Sequence, residues 1–238
     1  MLGRYASLNT YEDQGTQTQV TYAEGEEPSP PDEVHFATVF SRPGQLALDI
    51  RKRDAALGES RVMLWTGDGA VRGWRSAYGT AEQEDFTSLG DAVAAYTGIS
   101  EAVAWEVPAQ LVGLGYAEQA HAAFVAKLAF IGEDVVDGAR CYVLRGKEAE
   151  DEVRYWIDEQ DLVIRKEVTH WHVGGLVNSG TLPSGILNQV KGQAPRIYEA
   201  TTIYHPVLNR PVDPTRFRLT PPVDSPPSPS VHGTNSPP

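Results

Sequence analysis

Between Val34 and Arg75 apolar and polar residues alternate through four short runs, VHFATVFS, QLALDIRKRD, RVMLWT and AVRGW. Arg-Pro-Gly and Gly-Asp-Gly stand between the paired runs. Alternation with period two places successive side chains on opposite faces, and tight-turn residues between such runs reverse the chain. The stretch therefore reads as two successive β-hairpins. An antiparallel sheet that curls can enclose an apolar pocket, which points to holding a molecule rather than transforming one.

The rest of the chain mostly continues this pattern. Leu2, Tyr5 and Leu8 are at helical spacing, so residues 2–9 predict a short helix, and Thr16 to Ala23 alternates as a strand. Glu24 to Glu33 is acidic and proline-rich and reads as a loop. Thr80-Ala-Glu-Gln83 matches a capping box, and Phe86, Leu89, Val93 and Tyr96 then share a helical face. Residues 80–115 are thus predicted helical, with Gly98 ending one helix, Ser100 capping a second and Pro108 breaking or restarting it. Strands return from Phe124, with hairpins about Asp137-Gly138 and Glu159-Gln160-Asp161, and Tyr198–His205 and Arg216–Leu219 as the last strands. The expected total is roughly ten strands, one helical insertion and a leading helix.

Val173 to Pro195 is Gly-rich yet holds Leu176, Val177, Leu182, Ile186, Leu187 and Val190, which predicts a loop that folds over an apolar opening. Residues 221–238 hold seven prolines and four serines and predict a disordered tail after a single domain over 1–220. The 20 Lys and Arg are outnumbered by 32 Asp and Glu, a net charge of −12. Such a surface repels phosphate backbones and anionic headgroups, so nucleic acid is not an expected partner. No run approaches the ~18 apolar residues of a membrane span, and stable membrane insertion is not expected. The opening MLGRYASLNT contains no apolar signal segment.

Several stretches, in their order and spacing, resemble the LolA/LolB-like superfamily, in particular its DUF2092 or outer-membrane lipoprotein-sorting-like branch. These are RYASLNTYEDQG before a strand, FSRPGQLALDI at 40–50, LWTGDGAVRGW at 64–74, FIGEDVVDGARCYVLRG at 130–146 with YWIDEQDLVIRKEV at 155–168, and RFRLTPP at 216–222. The resemblance covers about residues 4–222. It implies a mainly β (α+β) fold, a curved antiparallel half-barrel with helices over its concave face. It also implies a non-enzymatic carrier for an acyl chain, lipid or lipoprotein in the bacterial periplasm or cell envelope, with an envelope protein as a further partner. Arg42 matches the family's Arg-Pro arginine, which sits at the cavity mouth and bonds to the helical lid. A periplasmic protein needs a targeting segment, so the reading frame is expected to extend upstream of Met1.

The cavity or its mouth is expected to be lined by Phe36, Phe40, Arg42, Trp65, Trp74, Phe86, Trp105 and Trp156. These aromatics fall in strand or lid segments, where they either fill a core or line an open space. An envelope sensing or protein-interaction domain on the same fold is the alternative, and a hydrolase a more remote one. Other chemistry has a plainer reading. His170 and His172 lie two apart on a strand without a third metal ligand fixed by spacing. The acidic runs at 82–85 and 150–152 read as solvated, and Cys141 as a small buried residue of a strand. No nucleophile elbow or phosphate loop occurs, so neither catalytic residues, a metal nor a cofactor is expected.

Overall fold

The computed structural model describes residues 2–23, 25–54, 58–67, 69–77, 80–96, 103, 106–113, 127–148, 151–172 and 196–222. Among these residues twelve strands lie in one antiparallel sheet: β1 Thr10–Ala23, β2 Asp32–Ser41, β3 Gln45–Asp54, β4 Gly58–Trp65, β5 Val71–Ala77, β6 Thr80–Phe86, β7 Ala129–Val136, β8 Ala139–Glu148, β9 Asp151–Asp158, β10 Ile164–His172, β11 Arg196–Ile203 and β12 Val207–Leu208. Three helices accompany them, α1 Leu2–Ser7, α2 Leu89–Tyr96 and α3 Val107–Val112. The order across the sheet is β6-β5-β4-β3-β2-β1-β11-β10-β9-β8-β7, with β12 paired to the start of β1. β6 and β7 are the two edges and do not pair, so the sheet is an open half-barrel and not a closed one. Nearly every connection joins sequence neighbours, as short hairpins require.

The four runs from Val34 to Arg75 are four consecutive strands, as their alternation predicts. The Asp137-Gly138 turn has both residues at positive φ (49° and 80°), the geometry of a two-residue hairpin that matches strand twist. In the β9–β10 turn, Asp158 accepts the backbone N–H groups of Gln160 and Asp161 and the Arg165 guanidinium. Those donors hold its carboxyl below the usual range against the opposing effect of burial.

The two faces of the sheet differ. One face joins all three helices in a single apolar cluster, from Val62 and Leu64 on β4 through Phe36 and Phe40 on β2 to Val153 and Tyr155 on β9. Tyr5 and Leu8, Ala92, Val93 and Tyr96, and Val107, Ala109 and Leu111 enter that cluster from the helical side. The opposite face carries smaller clusters: Met63, Trp65, Trp74 and Ala81; Val39, Ala47 and Phe217; and Val136, Cys141, Val143 and Trp156.

Several predicted elements come out differently. Residues 80–86 form an edge strand, not the start of a helix. The neighbouring strand β5 offers them a ladder, Ala81 packs on Met63 and the tryptophans, and Arg75–Glu82 and Arg72–Asp85 pair across strands. Thr80 bonds back to the Ala77 carbonyl, and the working N-cap is Ser88, whose Oγ accepts the Asp91 N–H at 3.0 Å. Arg216–Leu219 is no strand. Pro214–Phe217 is a 3-10 turn whose Asp213 accepts the Thr215 N–H, and it seats Phe217 against Val39 and Ala47. The first strand begins at Thr10, not Thr16, because β12 extends its pairing. The predicted loop at 173–195 and the tail from 223 onward lie outside the described residues.

Candidate functional site

The candidate site is the interface between the helices and the sheet. α2 docks where β5 has no side chain: a Cβ on Gly73 would collide with the Tyr96 ring and hydroxyl. Phe86, the last residue of β6, stands edge-on to Tyr96 with ring centroids 5.6 Å apart. α3 starts with Pro108 in its first turn and ends at Gly113 in the left-handed conformation (φ 68°) that a glycine cap supplies. Its residues Val107, Ala109 and Leu111 point into the core.

α1 spans the two halves of the sheet. Arg42, in the β2–β3 turn, donates from Nε to the Leu8 carbonyl (2.8 Å) and from Nη2 to the Tyr5 carbonyl (3.2 Å). Its guanidinium carbon lies 5.2 Å from the centre of the Phe40 ring. On the other side, Arg4 donates to the Asp161 carbonyl, and Ile164 N–H donates to the Tyr5 hydroxyl. The resemblance implies that Arg42 bonds to the lid. Its carbonyl partners belong instead to α1 and the residue that follows it.

Of the predicted cavity residues, Phe36, Phe40 and Phe86 are brought together with the helices. Trp65, Trp74 and Trp156 are not. Leu64 faces the helices, so its neighbour Trp65 faces away, and Trp74 pairs in register with Met63 on that same far side. Trp156 sits on the far face of β9, its ring under the Lys166 ammonium at 4.5 Å and its N–H donated to Asp134. Trp105 lies outside the described residues.

A polar lane also runs along the helix-facing side of the central strands. Gln19 donates to Gln17 (2.6 Å), and Gln17 donates to Thr202 (3.0 Å); all three are buried. Beside them Glu167, 5% exposed, accepts a long hydrogen bond from Tyr204 at 3.4 Å. The Glu106 carboxyl, at the N-cap of α3, turns inward with Oε2 shut off from solvent. Burial pushes Glu106 up to about 7, and burial with the Glu106 charge pushes Glu167 well above the carboxylate range. Tyr5, Tyr155 and Tyr204, buried around them, are raised by burial and then by these acids. Asp13, bonded to the Tyr11 hydroxyl and the His205 N–H, is raised to about 6 by burial.

None of this lane is among the predicted site residues. The one available signal is the alternation TQTQVT on a strand that proves central, where glutamines on the inward positions are conspicuous. On the far face, a groove of about 380 Å³ is lined by Gln14, Thr16, His35, Asp49, Arg51 and His205. There Asp49 is held by two bonds of 2.7 Å from Arg61 and one from Arg51. His170 and His172 stand edge-to-face with ring centroids 5.2 Å apart, and His172 faces Asp151. Among the described residues no three His, Cys, Asp or Glu side chains converge as metal ligands. Cys141 is buried, and burial raises its thiol.

No family model and no curated protein matches this chain. Solved structures do. A DUF1329 family protein from Desulfovibrio piger aligns over 91% of this chain and 92% of its own, at 9% identity and a TM-score of 0.35. A domain assigned to outer membrane lipoprotein sorting from Vibrio parahaemolyticus aligns over 90% and 92%, at 7% identity and a TM-score of 0.32. A LolA superfamily protein from Nitrosomonas europaea aligns over 92% and 96%, at 9% identity and a TM-score of 0.28.

Proposed function

We propose that this protein is a non-enzymatic carrier that shelters an acyl chain, a lipid or the lipid of a lipoprotein between its helices and its half-barrel, in the bacterial cell envelope. The observation that supports this reading most is the helix layer itself. Two short helices, α2 and α3, and the clasp α1 cover one face of an open sheet, on an apolar cluster that reaches from β4 to β9. Short helices can part from a sheet without breaking a strand ladder. Each methylene sheltered there contributes ~0.8 kcal/mol, so a dozen carbons give useful affinity without covalent chemistry. The motif order from FSRPG to the closing RFRLTPP supports the same reading, and the DUF2092 branch rests on that resemblance alone. Among the described residues no helix is long and apolar enough to cross a membrane.

Native mass spectrometry of the protein purified from its own host, together with titration by the fluorescent fatty acid cis-parinaric acid, tests the proposal. A co-purifying lipid mass and saturable binding are expected. An unliganded mass and no saturable binding would sink it.

A second reading has one specific observation in its favour. The edge strand β7 exposes Phe130 (60%), Ile131 (44%) and Val135 (59%), with Tyr142 of β8 beside Phe130. Exposed apolar edges are templates for strand addition by a partner, which suits an envelope interaction or sensing domain. Val135→Lys should abolish such capture while leaving cis-parinaric acid binding unchanged.

A further inference from the structure

One row of side chains crosses the helix-facing side of the sheet from its open edge to its centre. In register, Phe130 on β7 stands opposite Leu144 on β8, Leu144 opposite Tyr155 on β9, and Tyr155 opposite Glu167 on β10. Glu167 in turn stands opposite Thr202 on β11, and Thr202 opposite Gln17 on β1. Residues opposite one another share a face and lie side by side. The row is apolar at its β7 end and polar at its centre. It also runs from open to closed: Phe130 is 60% exposed, Leu144 packs at the margin of the helix-covered cluster, and Tyr155 and Glu167 are 4% and 5% exposed. At ~4.8 Å per strand, Phe130 to Glu167 is ~14 Å, about the reach of an extended lauroyl chain.

The polar end is short of partners. Among the described residues the Glu167 carboxyl accepts one hydrogen bond, the long one from the Tyr204 hydroxyl at 3.4 Å, and no Lys or Arg pairs with it. A carboxyl keeps further acceptor sites in either protonation state. Thr202 accepts the Gln17 amide at 3.0 Å, and among the described residues no acceptor takes its own hydroxyl proton. A buried acceptor and a buried donor thus stand side by side, at a cost that a purely apolar ligand would not relieve.

We propose that this row is the seat of an amphiphile with a neutral hydroxyl- or amide-bearing head, such as a monoacylglycerol. The head donates to Glu167 and accepts from Thr202, and the chain runs over Tyr155 and Leu144 to emerge at Phe130. The seat rests on the carrier reading above and narrows it from any acyl ligand to one whose head can donate. A carboxylate head offers only acceptors, so it suits Thr202 but must share a proton with Glu167 or repel it.

The experiment is isothermal titration calorimetry at pH 7.5 with 1-monolaurin and with lauric acid, which share one chain and differ in the head. Monolaurin should bind roughly tenfold more tightly, the factor that one buried hydrogen bond supplies. Glu167→Gln puts a donor beside the head and should narrow or reverse that preference, whereas a structural role alone would weaken both lipids alike. Phe130→Ser, at an exposed position, should weaken both lipids several-fold and keep the preference. Equal affinities in the wild type, a preference that Glu167→Gln leaves unchanged, or a Phe130→Ser variant that binds both lipids normally overturns the seat and leaves the carrier reading standing. So does binding of cis-parinaric acid without either lauroyl lipid. A protein that binds none of the three overturns the carrier reading, and the seat falls with it.

Discussion

The Tyr5 hydroxyl accepts the backbone N–H of Ile164 at 3.0 Å, deep in the core and 159 residues away in sequence. Ile164 stands where the β9–β10 register slips, so its N–H is not bonded within the ladder there. One residue of α1 thereby closes a gap in the far half of the sheet, while its own carbonyl is held by Arg42 from the near half. Tyr5→Phe keeps the ring and leaves that N–H buried without a partner. A loss of about 1–3 kcal/mol in unfolding free energy is expected by urea denaturation. A loss near zero would mean that water replaces the hydroxyl.

Arg42 holds the other end of the clasp. Arg42→Leu removes two charge-assisted bonds to carbonyls, and the site is partly exposed, so the expected cost is about 1–2 kcal/mol. Detachment of α1 should also speed release of cis-parinaric acid in stopped flow. Unchanged release with a large fall in melting temperature would make the residue purely structural.

Gly73→Val should unseat α2. The new side chain would occupy the space of the Tyr96 ring, and overpacking of this kind costs about 1–3 kcal/mol. Near-ultraviolet circular dichroism should change with Tyr96, while far-ultraviolet sheet signal persists. A fully native tyrosine signal would show that β5 can shift to admit the branch.

Stability should depend on Asp13 between about pH 4 and 6. Its folded-state value of about 6 lies above the 3.8 of an exposed aspartate, so the folded protein binds the extra proton in that window. Stability contributed by the protonated form is present below pH 4 and is lost as pH rises to about 6, by up to about 3 kcal/mol. Asp49 and Asp158, whose values are lowered, act in the opposite sense and lose their contribution as pH falls. Asp13→Asn retains an acceptor for the His205 N–H, and its denaturation midpoint should vary less across that window. An unaltered pH profile would assign the slope to other groups.

Much of the fold is legible because it is local. The period-two runs of β2 to β5, the Asp137-Gly138 reversal and the hairpin about residues 159–161 each carry their own instructions in side-chain alternation and turn chemistry. Phe36 and Phe40 are visible as strand aromatics for the same reason. Trp65, Trp74 and Trp156 are equally visible as strand residues, but alternation alone does not say which face the helices cover.

What the chain's own order determines, then, is the sequence of strands and where they reverse; the tertiary structure decides which face becomes an interior. Residues 80–86 show the limit most clearly, since Thr80 to Gln83 satisfies a capping box and yet pairs as β6, because an unpaired β5 edge and the packing of Ala81 on Met63 outweigh a single cap. The acid pair lies further beyond reach. Glu106 and Glu167 are 61 residues apart, and each looks like an ordinary surface acid in its own segment. Only tertiary packing takes Glu167 and the Glu106 Oε2 out of water, and burial is a property of the whole fold and not of any local stretch.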